Sequence, residues 1–227
     1  YLDQQIGDIL DALEDANQRD NTLILFLGEQ GSAFPGQKYS LWDRGTKSAV
    51  IASLPGVIAE NTTSDAMLQY VDIIPTLVEM AGGTPSTWID GQSFWDVLKG
   101  TETTHRDHVF SLHSNISQGA PYPIRAVRDE DYKLIWNLSH ETEYYSDNMQ
   151  NNLYFNEWEE AAILDDDDEF LLNRYKYRPE FELYDLANDP FELNNLADNP
   201  AYASIRADLE DELDAWMTQQ GDPGEYL

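Results

Sequence analysis

The sequence predicts an α/β protein in which helices flank a sheet, followed by a smaller α+β subdomain with antiparallel strands and a terminal helix. Three observations carry this. An amphipathic helical stretch runs into an uninterrupted apolar run, Thr22-Leu23-Ile24-Leu25-Phe26-Leu27, and a second apolar run follows at 49–54. From residue 109 on, short strand-like runs alternate with polar turns. The chain then closes on a strongly patterned helix over 200–219. The shift in pattern divides the chain into 1–105 and 106–227.

Leu2, Ile6, Ile9, Leu10 and Leu13 recur at helical spacing, so a helix is expected up to about Asn17. Asp20-Asn21 makes a turn into a buried strand over 22–27, and Pro55-Gly56 stops a second core strand over 49–54. A helix is expected over 67–80, with Pro75 either kinking it or standing in the first turn of a second helix. Gly91-Gln92-Ser93 leads into a short helix over 94–98. Residues 109–113 read as a strand, and 124–127 with 132–136 as an antiparallel hairpin turned at Arg128-Asp129-Glu130-Asp131. A further strand is expected over 182–186. Between Ser139 and Leu172 there is no Lys or Arg, and Asp165-Asp166-Asp167-Asp168-Glu169 reads as a solvated charge run. It lacks the alternation and glycine of an EF-hand loop.

At 227 residues and 41% hydrophobic, the chain is long and apolar enough for a packed core. No apolar run approaches the roughly 18–20 residues of a membrane span. The start at Tyr1 reads as mid-helix, so the natural N-terminus is expected upstream. Zero cysteines exclude disulfides, thiolate metal sites and cysteine nucleophiles within these residues. The net charge of −30 argues against nucleic acid as a partner, because that binding depends on basic phosphate contacts. It fits an acidic solvated surface suited to a salty environment. Nine of the 13 basic residues fall in three clusters: Lys38, Arg44, Lys47; Arg125, Arg128, Lys133; and Arg174, Lys176, Arg178. Such clusters focus an anionic ligand or pair with neighbouring carboxylates, and pairing is expected for the third.

The first apolar strand ends in Gly28-Glu29-Gln30-Gly31, and Lys38 follows in the same loop. Paired oxygen donors at the end of a buried strand are how open sheets build sites for hard metals and phosphate-like groups. With a fixed cation close behind, such a site suits a sulfate or phosphate ester. Helix capping by the Glu-Gln pair and a solvent-facing Lys38 are the plain alternatives.

Four blocks in order resemble the C-terminal half of a type I sulfatase of the alkaline-phosphatase-like superfamily. They are the first helix with Asp20-Asn21-Thr22; Gly28-Glu29-Gln30-Gly31 with Lys38; Val71-Asp72-Ile73-Ile74-Pro75-Thr76-Leu77 with Gly91-Gln92-Ser93; and Glu182-Leu183-Tyr184-Asp185-Leu186 with Asp189-Pro190, Glu192 and Asn195-Leu196-Ala197. Phe34-Pro35, His113, Pro121-Tyr122-Pro123-Ile124-Arg125 and Arg178-Pro179 look most like the heparan N-sulfatase-like branch and bacterial polysaccharide sulfatases.

The resemblance implies an alkaline-phosphatase-like sheet and hydrolysis of a sulfate ester or sulfamate of a glycan, by a formylglycine nucleophile beside Ca²⁺. Glu29 and Gln30 map onto metal-ligand positions and Lys38 onto the sulfate-contacting lysine, although most relatives carry Asp followed by His or Asn where Glu29-Gln30 stand. His113 resembles a substrate-contacting histidine, or is structural. Arg125 clamps a substrate anion bidentately, or ties its hairpin to an acidic neighbour. Asp43 and Arg44 shape the pocket without a catalytic role. No Cys- or Ser-x-Pro-x-Arg motif occurs, so nucleophile and remaining metal ligands are expected from an N-terminal part of the same enzyme, without which this chain should be inactive. The family implies a periplasmic or extracellular setting. A non-catalytic glycan-binding protein and a phosphoesterase or phosphonate hydrolase of the same superfamily are the competing readings.

Overall fold

The computed structural model describes residues 1–115 and 119–224. In chain order the elements are α1 (Leu2–Asp15), β1 (Ile24–Leu27), α2 (Asp43–Thr46), β2 (Val50–Ser53), α3 (Ile73–Met80), α4 (Trp95–Leu98), β3 (Val109–His113), β4 (Ile124–Arg128), β5 (Tyr132–Asn137), α5 (Asp147–Gln150), α6 (Leu153–Ala161), α7 (Asp166–Lys176), β6 (Phe181–Asp185) and α8 (Ala203–Gln220). They form two compact units. The first holds Tyr1–Glu29 and Ala49–Asp107, the second Gln30–Ser48 and the chain from His108 onward. The sequence division at residue 105 assigns 30–48 to the first part, whereas in the structure this segment packs with the second, for a reason given by Trp42 and Asp43 below.

In the first unit β1 and β2 pair antiparallel, with Ile24 opposite Ser53 and Leu27 opposite Val50. The expectation of a fully buried first strand is corrected here: β1 is half-buried, and Val50 and Ile51 of β2 are exposed. Among the described residues this sheet has two strands, so each has one neighbour and little cover. Residues 67–69 lie outside any helix. A 3₁₀ turn, Tyr70–Asp72, leads directly into α3, which places Pro75 in the first turn, where its missing N–H costs no intrahelical bond.

Asp72 organises this unit. Its carboxylate is fully buried and accepts hydrogen bonds from the backbone N–H of Gln69 and Gln92 (2.9 Å each) and from Arg106 Nε (2.8 Å). It also pairs with Arg106 Nη2 and with His105 Nε2, the latter at 3.2 Å. Burial opposes its ionisation, but bonds from Arg106, His105 and the two backbone amides outweigh that and hold the carboxyl well below the usual carboxylate range. Gly91 lies so close to this turn that a Cβ would stand 2.0 Å from the Val71 carbonyl oxygen. Thr76 Oγ1 completes the latch, donating to the Asp72 carbonyl (2.6 Å) and accepting from Phe94 N–H (3.0 Å). The Val71-Asp72…Gly91-Gln92-Ser93 block is thus a structural knot.

In the second unit four antiparallel strands run in the order β3-β4-β5-β6. Strand periodicity sends alternate residues to opposite faces. Val127, Leu134 and Leu183 pack on one face against Leu209, Leu213 and Met217 of α8. Ile124, Ala126, Ile135 and Tyr184 face the other way, into a core with Trp42, Tyr122, Tyr144, Met149, Phe155 and Tyr175. Each face is therefore covered, which explains why β4 to β6 read as nearly continuous apolar runs. The acidic run beginning at Asp165 forms the start of α7: Asp165 is its N-cap, accepting from Asp167 N–H (3.0 Å) and Asp168 N–H (3.2 Å). Carboxylates there meet the positive end of the helix dipole, and Arg174 and Lys176 stand in its last turn.

Candidate functional site

Lys38 lies in the loop that the second unit holds against its sheet. Three anchors fix that loop. Trp42 Nε1 donates to Glu182 Oε2 (2.8 Å), and the Tyr144 hydroxyl donates to the Tyr39 carbonyl (2.9 Å). Asp43 accepts both oxygens' worth of hydrogen bonds from Arg128 Nη1 (2.9 and 2.7 Å), pairs with Lys133 Nζ, and gives its own backbone N–H to Glu192 Oε2 (2.6 Å). Lys133 also binds Glu192 Oε1 at 2.9 Å. Burial works against the Asp43 charge, but Lys133 and Arg128 outweigh it and hold the carboxyl below its ordinary value. Gly45 is required at the end of this loop, since a Cβ would lie 2.4 Å from the carbonyl oxygens of Gln37 and Ser40.

This network explains two sequence features together. Glu182 and Glu192 belong to the C-terminal signature block, and both act on the Lys38 loop: one takes the Trp42 indole, the other the Asp43 amide. Arg128 and Lys133 are committed to the same ion cluster, so the second basic cluster is internal. The third is mixed. Lys176 pairs with Glu143 (2.9 Å) and Glu159 (3.1 Å), as expected, whereas Arg174 and Arg178 stack on the Trp42 ring at 3.9 and 4.8 Å.

Lys38 and Tyr39 line a cleft of about 450 Å³ together with Ala33, Asp147, Asn148, Asn151, Asn152 and Tyr154. Tyr39 has φ 67°, a left-handed conformation that a bulky side chain adopts only when its surroundings impose it. Here the carbonyl is held by Tyr144, and the hydroxyl takes a hydrogen bond from Asn148 Nδ2 (3.0 Å). Tyr39 also links Lys38 to His113, whose ring centroid lies 5.8 Å from that of Tyr39.

His113 is half-buried at the end of β3, and its Nε2 has no hydrogen-bond partner among the described residues. Burial, then the Arg178 charge, lower its pKa to about 4, with hydrogen bonding of the ring to Asn115 acting in the opposite sense. The imidazole is therefore neutral near pH 7 and is a hydrogen-bonding group rather than a cation.

Arg125 lies elsewhere. His113 is register partner of Ile124, and Leu112 of Arg125, so His113 and Arg125 project from opposite faces of the sheet. Arg125 is fully buried on the α8 side, where Nε and Nη2 grip the Asp222 carboxylate, the Nη2 bond being 3.0 Å. Of the two readings of Arg125, the geometry matches the internal tie and not the substrate clamp. Glu29 ends the first unit and Gln30 opens the second, and both are exposed. Their oxygens suit a hard cation in type but not in number, because Ca²⁺ takes about six to eight ligands. Among the described residues no group of three or more His, Cys, Asp or Glu is arranged to hold a metal.

Sequence reasoning missed Tyr39 and the amide wall Asn148, Asn151 and Asn152. The crowding of asparagines in a basic-free stretch was the available signal.

Comparison with known proteins identifies the family and the fold. The family model described as N-sulphoglucosamine sulphohydrolase, C-terminal, matches residues 36–163 and 159–219. An ulvan-active sulfatase of Formosa agariphila is 34% identical over 220 residues, covering 96% of this chain and 41% of that protein. The human N-sulphoglucosamine sulphohydrolase is 27% identical over 239 residues, covering 98% of this chain and 46% of that protein. A structure solved in complex with its substrate D-glucosamine-2-N,6-O-disulfate superposes with a TM-score of 0.74 at 22% identity, over 99% of this chain and 40% of that one. The chain thus spans less than half the length of these relatives, and its fold is theirs, the alkaline-phosphatase-like fold of sulfatases. The chain belongs to the N-sulphoglucosamine sulphohydrolase C-terminal family, the C-terminal portion of sulfatases.

Proposed function

We propose that the polypeptide carrying this chain is a sulfuric ester hydrolase that removes sulfate from a sulfated carbohydrate, and that this chain supplies the sulfate-binding lysine and one wall of the substrate cleft. The observation that carries the reading is Lys38: a half-buried ammonium at a polar cleft, on a loop fixed by the Asp43–Lys133–Glu192 cluster and the Trp42–Glu182 bond. A held ammonium opposite a sulfate oxygen requires no reorganisation as charge shifts toward the leaving group. His113 would be a hydrogen-bonding contact to the sugar through a neutral ring, its unpartnered Nε2 being buried in this structure. Arg125 serves the sheet.

Glu29 and Gln30 would be two of the Ca²⁺ donors, and a bound Ca²⁺ would neutralise sulfate oxygens. The formylglycine nucleophile and the other ligands would come from outside these residues, which contain no cysteine. In this reading the chain is inactive alone and the enzyme works in the periplasm or outside the cell. No helix among the described residues is long and apolar enough to cross a membrane.

The test is sulfate release from sulfated oligosaccharides by the naturally encoded polypeptide, with Ca²⁺ and after chelation. Lys38→Ala should lower kcat/KM by about 10²–10³-fold, the usual cost of removing one preorganised charge-stabilising donor. Hydrolysis of phosphate or phosphonate esters in preference to sulfate esters would favour the phosphoesterase reading. Glycan binding without any hydrolysis would favour the non-catalytic one.

A further inference from the structure

The loop that carries Lys38 borders a second cleft. Lys38 and Tyr39 line the one already described, whereas Pro35, Gly36, Trp42 and Arg44 line another, of about 410 Å³, together with side chains of α6, α7 and the segment after β6. Gly36 and Lys38 are two residues apart, so the two clefts approach within about 7 Å along this loop. The cations of the second lining are Arg44 and Arg174. Its one carboxylate, Glu192, is buried, with Oε1 bound to Lys133 and Oε2 to the Asp43 amide. The lining is thus net positive in a chain of net charge −30. Both guanidinium groups have donors to spare. Arg174 Nη2 donates to the Tyr184 hydroxyl oxygen (3.2 Å) and the Glu192 carbonyl, but Nε and Nη1 make no hydrogen bond to the described residues. The Arg44 guanidinium makes no hydrogen bond or ion pair with any described residue; it lies over the Phe191 ring, 5.1 Å from the centroid. Around these cations the walls are apolar: Phe191, Leu193 and Leu171 are exposed, and Trp158 is half-buried.

We propose that this cleft is a second binding site for the glycan, in which Arg44 holds a sulfate group of a ring remote from the one presented to Lys38, and Phe191 and Trp158 pack against the sugar's apolar face. The inference rests on the sulfatase reading of Lys38 and extends it: the substrate is a sulfated polymer rather than a single sulfated sugar. A guanidinium offers sulfate oxygens a planar fork of donors, and the Phe191 ring already supports that fork from one side. An aromatic wall with a few placed polar groups is the usual make-up of a small-ligand cleft, and about 410 Å³ admits a sugar ring with its sulfate. Continuity favours the same polymer over another anion. Phe34, next to Pro35 on the shared loop, is exposed, and its ring lies 5.4 Å from that of Tyr154 in the Lys38 cleft. Aromatic surface therefore continues from one cleft toward the other. The overall charge repels a polyanion, but at physiological ionic strength that repulsion is screened beyond about 8 Å, so the local guanidinium groups decide the contact.

The experiment uses the naturally encoded polypeptide bearing Lys38→Ala, so that the sulfate anchor is removed, with dextran sulfate immobilised on an interferometry sensor and unmodified dextran beside it. Dextran sulfate should bind and dextran should not. Adding Arg44→Ala should weaken binding about tenfold, the scale of a lost charge-assisted hydrogen bond. Arg44→Lys, which keeps the charge and loses the fork, should cost less. Phe191→Ala should cost about threefold. With Lys38 intact, Arg44→Ala should raise KM for a cleaved sulfated polysaccharide about tenfold at unchanged kcat. The same variant should leave kcat/KM for a monosulfated disaccharide within about twofold of the wild type.

Dextran sulfate binding indifferent to both Arg44→Ala and Phe191→Ala overturns the proposal, and with hydrolysis intact it leaves the sulfatase reading standing. Equal binding of polyglutamate, lost with Arg44→Ala, would make the occupant an acidic protein and overturn it as well. A concentration-dependent rise in sedimentation coefficient that Arg44→Ala abolishes would put a second copy of the chain in the cleft instead. A lowered urea midpoint in Arg44→Ala with dextran sulfate binding unchanged would mean that another part of the polypeptide covers it. Loss of dextran sulfate binding in Arg44→Ala, in a protein that releases no sulfate from any substrate, supports the cleft while the catalytic reading falls.

Discussion

In the first unit no residue of α1 is buried, and both strands of the β1–β2 pair have exposed apolar side chains. In the second, both faces of the four-stranded sheet are covered, by α8 on one side and by an aromatic core on the other. Each unit nevertheless buries charge, and the way it does so differs. The first converges five donors on one carboxylate, Asp72. The second distributes charge through a cluster, Asp43 and Glu192 against Arg128 and Lys133, which ties a loop to the sheet that carries it. A carboxylate saturated with donors fixes a local turn; a shared cluster holds distant segments in register. Lys38 has its position because the second arrangement lies beneath its loop.

The comparison can be broken most directly at Lys133. Replacing it with Met leaves the buried Glu192 without its cation and the half-buried Asp43 with Arg128 alone, at a cost of about 3 kcal/mol in urea unfolding. The same substitution should lower sulfate turnover, because the Lys38 loop loses its anchor. A cost below about 1 kcal/mol, the surface-pair range, would mean that the cluster does not hold the loop.

A matched pair of core truncations tests the contrast in packing. Leu213→Ala in α8 removes a fully buried side chain and should cost about 2–5 kcal/mol. Ile9→Ala in α1, at an exposed position, should cost no more than about 0.5 kcal/mol in this chain. A large effect of Ile9→Ala in the naturally encoded polypeptide alone would locate a partner surface for the α1 stripe.

Asp72 gives the first unit an acid sensitivity. Its folded-state pKa is depressed, so its contribution is complete above the unfolded value of about 3.9 and declines as pH falls through the native value. Asp72→Asn should therefore destabilise the protein at neutral pH and flatten the acid limb of a stability-versus-pH curve. Retention of the wild-type acid limb would assign that limb to other groups.

His113 titrates in a different window. Its pKa of about 4 lies below the unfolded value of about 6.5, so the stability it contributes is complete above 6.5 and is lost as pH falls toward 4. In NMR its ring carbons should show no titration between pH 5 and 8, and the pH profile of turnover should carry no inflection from it. A midpoint near 6.5 would mean that the ring is solvated and not enclosed by Tyr39 and Arg178. A modest effect is expected at Asp165, where Asp165→Ala removes the α7 cap and should cost about 1 kcal/mol, read by urea unfolding.

Much of the fold was legible because local patterns dictated it. The β4–β5 hairpin and α8 lie within a few residues of their expected positions, since strand alternation and helical spacing are properties of neighbours in sequence. The proline question over 67–80 resolved in favour of the first-turn placement. The acidic run at 165–169 read as solvated charge, and its role as a helix start depended on which backbone amides lay within reach. Block-level resemblance to sulfatases identified Lys38, but it could not say which motif residues touch a ligand and which hold the scaffold.

The sequence by itself determined the first and last helices, the main strands, the family and the candidate lysine, because these depend on side-chain period and local motif. Tertiary structure alone decided that residues 30–48 pack with the second unit, that His113 and Arg125 stand on opposite faces of one sheet, and that Glu182 and Glu192 hold the Lys38 loop. It also decided that Tyr39 and a row of asparagines line the cleft. Those outcomes turn on residues up to 149 positions apart, as in the Asp43–Glu192 bond, and strand register and ion pairing over such separations leave no periodic trace in the chain.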